Sequence, residues 1–390
     1  MKKLLNGNEA AAAGARLSKV QVIPSYPITP SFPVHHQLAR DVMEGKLQAR
    51  FINMESDQSA IAAAVGASLG GLRTFTATNS QGLAYMSEHL FYASGLRLPI
   101  VMAVVSRALS APHCRFADHG DVLAQKTSGW MIFFCETHQE ILDTCIQLYK
   151  ICEDPRVQTP AMLGYESYIQ SHTFEPVDVP AEEAVDAYLG QRKALGNVVD
   201  PDHPLSINPA TPPALYMDFK YQQWKAMEGS LTIIEEVRQS FRDAFRRDHG
   251  GAVDTQRMED AEVAVATMGS MARTSRQAIL ELRKEGVRAG LLRLRAFRPF
   301  PAGQLRKCLA SVERVVVLDK NSSPGAGGGL YDELRAALYD GNGRGKGPPK
   351  VFGYIAGLGG RDVTVGDIKQ AVRASVPGKE GLHWMGFPDE

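Results

Sequence analysis

Leu98-Pro99-Ile100-Val101-Met102-Ala103-Val104-Val105-Ser106-Arg107 is the stretch on which the reading of the fold turns. Its first eight residues are the longest purely apolar run in the chain. A membrane-spanning helix needs about 20 such residues, so Pro99–Val105 predicts a strand buried on both faces. Shorter runs of the same kind lie around it. Val20–Ile23, Arg50–Met54, Thr74–Ala77 and Met131–Cys135 read as strands, and Ala60–Leu69, Leu83–Ala93 and His138–Ile151 read as helices. Near-continuous apolar strands separated by helices predict an α/β fold, a doubly wound and largely parallel sheet over residues 1–175.

Further along, residues 176–255 change character. Pro176–Pro213 carries seven prolines and little periodicity, which predicts a long, loose connection. Leu231, Ile234, Val237, Phe241 and Phe245 then recur at three- and four-residue spacing, the mark of an amphipathic helix. A second α/β unit is expected over 256–390. Its strands are Glu262–Thr267, Gly290–Leu294, Arg314–Leu318 and Val351–Ile355, with helices over Thr274–Glu285 and Leu330–Leu338. Gly325–Gly329 follows a strand and opens a helix, which invites a nucleotide-dependent oxidoreductase reading. A dinucleotide fingerprint would need glycine at Leu330 or Asp332, so a tight packing turn is the better reading.

Composition narrows the function classes. The 390 residues hold 43 basic and 43 acidic side chains, for a net charge of zero. That balance gives no electrostatic reason to expect nucleic acid or an anionic membrane as partner. After Met1-Lys2-Lys3-Leu4-Leu5 the chain turns polar, with no apolar stretch of signal-peptide length, and a cytoplasmic location is expected. The five cysteines form no Cys-x-x-Cys pair and read as reduced core thiols. An iron–sulfur cluster needs about four clustered thiolates. Electrons handled by this protein are therefore expected to travel on carriers elsewhere.

In open parallel sheets, ligands gather beyond the carboxyl ends of the strands. Three positions qualify: Tyr26-Pro27-Ile28-Thr29-Pro30, Glu55 and Ser106-Arg107. Each has a plainer reading beside the functional one. Glu55 suits the first turn of a helix, where the dipole favours a carboxylate; Arg107 suits a solvated loop; Thr29 suits turn chemistry alone. The adjacent loop Ser110–Asp121 is rich in polar chemistry. His113, Cys114, Asp118, His119 and Asp121 are metal-ligand types, but their spacing matches no standard motif, so no metal is expected there and a loop closing over substrate is preferred.

At these residues the chain resembles the α subunits of the 2-oxoacid:ferredoxin (or other acceptor) oxidoreductases, which include the pyruvate enzymes. The resemblance is carried by Tyr26–Ser31, Asn53–Ala60, Thr78–Leu83 and Arg107–Pro112, continues at Asp118–Asp121 and Thr127–Trp130, and extends to Ala266–Ser270, Phe297–Pro301 and Gly357–Asp362. It implies a thiamine-diphosphate pyrimidine-binding domain followed by a transketolase C-terminal-like domain. It further implies that Glu55 holds the aminopyrimidine ring, favouring the tautomer that activates the cofactor, which then serves as electron sink. Arg107 is implied to pair with the substrate carboxylate and Thr29 to stand beside the substrate, with Pro27, Ile28 and Ser80 around the cofactor.

Thiamine enzymes of this kind also use a Gly-Asp-Gly motif to hold Mg²⁺ and the diphosphate, and none occurs in this chain. The resemblance therefore implies a β-type subunit with that half-site, a ferredoxin-like subunit with [4Fe-4S] clusters and a γ-type subunit. A flavin subunit would be added where NAD is the acceptor. Coenzyme A is the expected co-substrate. Ser31, Phe32, His113, Phe116, Asp118 and His119 are candidates for the substrate pocket. Phe32 and Phe116 suit an aromatic 2-oxoacid such as phenylglyoxylate as well as pyruvate, or else belong to the core. The alternative of another class is an interaction subunit whose site has decayed.

Overall fold

The apolar run forms the strand Val101–Ser106, buried along its whole length, inside a five-stranded sheet. The computed structural model describes residues 2–193, 198–204, 206–339, 347–378 and 380–388. The sheet runs in the order Ala296–Arg298, Met131–Phe134, Ala161–Glu166, Val101–Ser106, Phe75–Thr78. A bridge from Thr74 to Val22 continues it to the parallel pair Val22–Ser25 and Arg50–Asn53. Every pairing is parallel except that of Ala296–Arg298. The second sheet runs Gly381–Trp384, Lys350–Ile355, Arg314–Asp319, Val263–Thr267, Ala289–Leu294, Val253–Gln256, with only the last strand antiparallel.

Several elements depart from expectation. Leu83–Ala93 is two helices, Ser80–Tyr85 and Ser87–Gly95, meeting at Met86. Pro176–Pro213 is not loose throughout. Phe174–Asp178 pairs antiparallel with Lys2–Asn6, and Glu182–Leu189 is a helix. Pro176 is tolerated because an edge strand loses little when one ladder N–H is missing. Residues 194–197 and 205 of that stretch lie outside the described residues. The amphipathic helix extends over Pro213–Phe245, longer than its apolar spacing suggested.

Gly325–Gly329 does behave as a packing turn. The N–H groups of Leu330 and Tyr331, which a phosphate would claim, both donate to Asp319 Oδ2, at 2.7 and 3.0 Å. The helix N-terminus already has its anion.

The two sheets share one core. Met102, Val104, Ile132 and Phe134 from the first pack in one cluster with Ala264, Leu292 and Val317 from the second. Ala296–Arg298 follows the second sheet's Ala289–Leu294 in sequence yet pairs with Met131–Phe134 of the first. Between the sheets Glu140 is buried against Arg293 (2.6 Å) and Arg295 (2.8 Å). Burial pushes its carboxyl up, but the two guanidinium groups more than offset this and hold it at about 2.

Candidate active site

The strands Val22–Ser25 and Arg50–Asn53 end together, with Ser25 opposite Asn53 and the Met54 N–H on the Ser25 carbonyl at 2.9 Å. Tyr26–Pro30 and Glu55 therefore leave the same edge of the sheet. Glu55 lies just before Ser56, whose hydroxyl caps the helix Asp57–Leu69 by accepting the Ser59 N–H. Its carboxylate is exposed and accepts the Ser59 hydroxyl, which holds it below the usual carboxylate range and hence ionised at neutral pH. The helix-terminus reading and the ligand reading of Glu55 are thus compatible.

The turn beside it is braced from below. Ser31 Oγ donates to the Ile28 carbonyl (2.9 Å), Asn79 Nδ2 donates to Ser31 Oγ (3.0 Å), and Asn8 Nδ2 donates to the Pro30 carbonyl (3.0 Å). Pro27 and Thr29 stay exposed and Ile28 is half-buried. Asn79 Oδ1 is buried with no partner among the described residues.

Arg107 is only 6% exposed, so it is not a solvated loop residue. Its backbone N–H and that of Ser80 converge on Asp121 Oδ2, at 3.1 and 2.8 Å. Asp121 Oδ1 accepts the Ser106 hydroxyl (2.7 Å) and the Val122 N–H (2.8 Å). Burial pushes the Asp121 carboxyl up to about 6 against the pull of these four donors. The Arg107 guanidinium donates through Nη2 to Gln81 Oε1 at 2.8 Å, while its Nε is buried without a partner among the described residues. A planar fork with an unused donor suits a carboxylate.

Beyond Arg107 the loop folds back, with the Ala108 N–H on the Phe116 carbonyl at 3.1 Å. Phe116 is 49% exposed and Phe32 47%, which rules out the core reading for both. His113 is exposed with Nδ1 3.4 Å from Ser110 Oγ, and the half-buried Asp118 accepts the Gly120 N–H at 2.7 Å.

Ser31, Ser80 and His119, expected as contact residues, are buried within this chain. Ser31 braces the Ile28 carbonyl, and Ser80 Oγ donates to the Ala108 carbonyl (2.6 Å). His119 Nε2 faces Glu166 Oε1 at 3.1 Å, inside a buried cluster. There Glu166 Oε2 also meets Lys320 Nζ (2.5 Å) and the Ser270 hydroxyl (2.6 Å). Burial raises the Glu166 carboxyl, but Lys320 and His119 hold it well below the carboxylate range. Asn8, Gln81 and Glu166 were not singled out from sequence as site residues, and Asp121 was named only as a metal-ligand type. Their roles come from tertiary hydrogen bonds, for which a single sequence carries no spacing signal.

The residues present fit a thiamine-type aminopyrimidine: an ionised, accessible carboxylate leaves the same strand edge as the accessible Pro27 and half-buried Ile28. A second ligand's carboxylate fits Arg107. Fold and site together define the class, a two-sheet α/β protein of the thiamine-enzyme type with ligand groups on its strand ends.

Comparison with known proteins narrows that class. A family described as pyruvate flavodoxin/ferredoxin oxidoreductase, thiamine diphosphate-binding, matches residues 13–239, and pyruvate:ferredoxin oxidoreductase core domain II matches residues 261–368. Pyruvate synthase subunit PorA of Methanothermobacter thermautotrophicus is 43% identical over 388 residues, covering 100% of this chain and 99% of the relative. Ketoisovalerate oxidoreductase subunit VorA of Pyrococcus horikoshii is 41% identical over 369 residues, covering 95% and 92%. Among solved structures, the 2-oxoglutarate:ferredoxin oxidoreductase of Magnetococcus marinus superposes with a TM-score of 0.74 at 18% identity. That match covers 95% of this chain but 65% of the other. A split-gene transketolase gives 0.55 at 14% identity, covering 96% and 99%. The chain belongs to the pyruvate flavodoxin/ferredoxin oxidoreductase family, as an α subunit of the 2-oxoacid:ferredoxin oxidoreductase type.

Proposed function

We propose that this chain contributes the pyrimidine and substrate half of the active site in a thiamine-diphosphate-dependent 2-oxoacid oxidoreductase. The complex converts a 2-oxoacid and coenzyme A to acyl-CoA and CO₂, passing two electrons to iron–sulfur clusters on partner subunits. The observation that carries this reading is the Arg107 guanidinium, held by Gln81 and 6% exposed, at the same end of the sheet as the exposed Glu55 carboxylate.

Thiamine diphosphate, when bound, supplies the carbon nucleophile and electron sink for decarboxylation. Glu55 takes the aminopyrimidine nitrogen, against the apolar surface of Pro27 and Ile28. Arg107 orients the 2-oxoacid through its carboxylate, and Thr29 stands beside the keto group. Ser80 acts from behind, holding the chain at Ala108 in place. Residues 1–175 are read as the pyrimidine-binding domain and 256–390 as the transketolase C-terminal-like domain.

A β-type subunit with the Mg²⁺–diphosphate half-site, a ferredoxin-like subunit with [4Fe-4S] clusters and a γ-type subunit would complete the enzyme. A flavin subunit would join if NAD is the final acceptor. Pyruvate is favoured as substrate by the PorA relatives. A bulkier 2-oxoacid, phenylglyoxylate included, is favoured by the exposed rings of Phe32 and Phe116.

The test is acceptor reduction by the purified complex with coenzyme A and, in turn, pyruvate, 2-oxoisovalerate, 2-oxoglutarate and phenylglyoxylate. Turnover of at least one is expected, lost in Arg107→Ala. Full activity of Arg107→Ala would instead support an interaction subunit whose site has decayed.

A further inference from the structure

We infer that Phe116 and Tyr168 form the pocket wall facing Arg107, that the Gly359-Gly360 turn of the second domain sets its depth, and that Tyr168 and Gly360 thereby select the 2-oxoacid side chain. The inference rests on the proposal that Arg107 holds the substrate carboxylate.

Tyr168 comes two residues after the strand Ala161–Glu166, in which Glu166 pairs with Ser106 next to Arg107. Tyr168 and Arg107 therefore leave adjacent parallel strands at the same end, the position where such sheets bind ligands. The Tyr168 ring centroid is 4.9 Å from that of Phe116, and 4.6 Å from that of His172 in a stacked pair. Rings at such separations fix one another's orientation. The backbone is fixed too: Tyr168 has φ 60, and its N–H donates to Ser171 Oγ at 2.8 Å.

The second domain closes the far side of the same loop. The Gly360 N–H reaches the Ala117 carbonyl at 3.3 Å, and the His119 N–H donates to the Lys320 carbonyl at 2.8 Å. Gly360 has φ +78, and a Cβ there would come within 2.9 Å of Phe116 Cβ. Glycine at this point lets Phe116 sit back against the second domain, and any larger residue would push the ring forward. The Glu166–Lys320 pair pins both domains beside this contact. The wall is thus built from an aromatic pair in front and a glycine turn behind. Neither Tyr168 nor Gly360 is marked by the sequence pattern around Arg107.

The experiment compares kcat/KM for 2-oxoisovalerate with kcat/KM for pyruvate in the assembled complex, for the unsubstituted enzyme, Tyr168→Ala and Gly360→Ala. A difference of one methylene in an apolar pocket changes discrimination by about 10- to 200-fold. Tyr168→Ala is expected to raise the ratio at least about tenfold on that scale, and Gly360→Ala to lower it. General loss of folding would depress both substrates equally and leave the ratio alone. If Gly360→Ala fails to assemble, Tyr168→Ala decides. An unchanged ratio in Tyr168→Ala, with the unsubstituted enzyme active, overturns this inference alone. No turnover of any 2-oxoacid by the unsubstituted enzyme overturns the functional proposal as well.

Discussion

Asp121 shows how much of this site depends on a residue that need not touch a ligand. One of its oxygens receives the backbone N–H groups of both Arg107 and Ser80. Its carboxyl is raised to about 6, so it is fully ionised, and accepts from every donor, only above that pH. Protonation as the pH falls through about 6 gives one oxygen a proton to donate and loosens the convergence on Arg107. The expected result is a fall in kcat/KM for the 2-oxoacid on that acidic limb. Asp121→Asn should lower kcat/KM throughout and flatten the limb, as a pH profile would show. Arg107→Lys keeps the charge but loses the planar fork. Losing one charge-assisted hydrogen bond of about 1.5–3 kcal/mol predicts a KM for the 2-oxoacid raised roughly 10- to 100-fold. Titration of initial rates checks this, and an unaltered KM would remove the carboxylate role. The positions of Glu55 and Arg107 at strand ends were legible in the sequence because strand-like stretches run up to them. Asp121 was named there only as a metal-ligand type, because its hydrogen bonds depend on what folds against it.

At the scale of elements, the short helix Ser80–Tyr85 meets Arg107 through Gln81 and tolerates little change. A Cβ on Gly82 would lie 2.5 Å from Thr78 Oγ1 and 2.6 Å from Asp57 Oδ1, atoms already joined by a 2.7 Å hydrogen bond. Overpacking of this kind costs about 1–3 kcal/mol. Gly82→Ala should therefore lower the thermal midpoint and weaken activity, whereas an unshifted melting curve would show that the helix relaxes freely.

Legibility varied by element for physical reasons. The Val101–Ser106 and Met131–Phe134 strands stood out because both faces are buried and every residue is apolar or nearly so. The central strand Ala161–Glu166 was passed over: Gly164 breaks its pattern, and a Cβ there would meet the Phe133 carbonyl at 3.0 Å. The helix Gly7–Leu17, rich in alanine, lacks the large apolar stripe that advertises amphipathicity, yet it carries the Asn8 side chain that braces Pro30. Phe174–Asp178 was hidden by Pro176, whose placement in an edge pair only the partner strand explains.

Across the whole molecule, the two sheets are joined by a shared core and by buried charge. Glu140 is expected to matter most, because removing its charge takes from buried Arg295 the carboxylate it pairs with and leaves buried Arg293 only Glu136 and Asp254. Breaking such a pair costs about 3–5 kcal/mol, so Glu140→Gln should show a large loss in a denaturation curve. The carboxyl is depressed to about 2 from an ordinary 4.5. Its contribution is present above about 4.5 and is lost as the pH falls from there through about 2, so the stability gap between the native chain and the variant should narrow over that range. The same architecture leaves Glu55 exposed at one edge of the first sheet, with Arg107 buried farther along the same strand ends. The chain carries no Gly-Asp-Gly motif and no clustered cysteines. The proposal accordingly places catalysis in the complex, with Glu55 as this chain's proposed contribution to the cofactor. The decisive measurement is 2-oxoacid- and coenzyme A-dependent acceptor reduction by the complex carrying Glu55→Gln, with assembly followed by co-purification of the subunits. Turnover is expected to fall to background in an intact complex, and undiminished turnover by that complex would contradict the assignment.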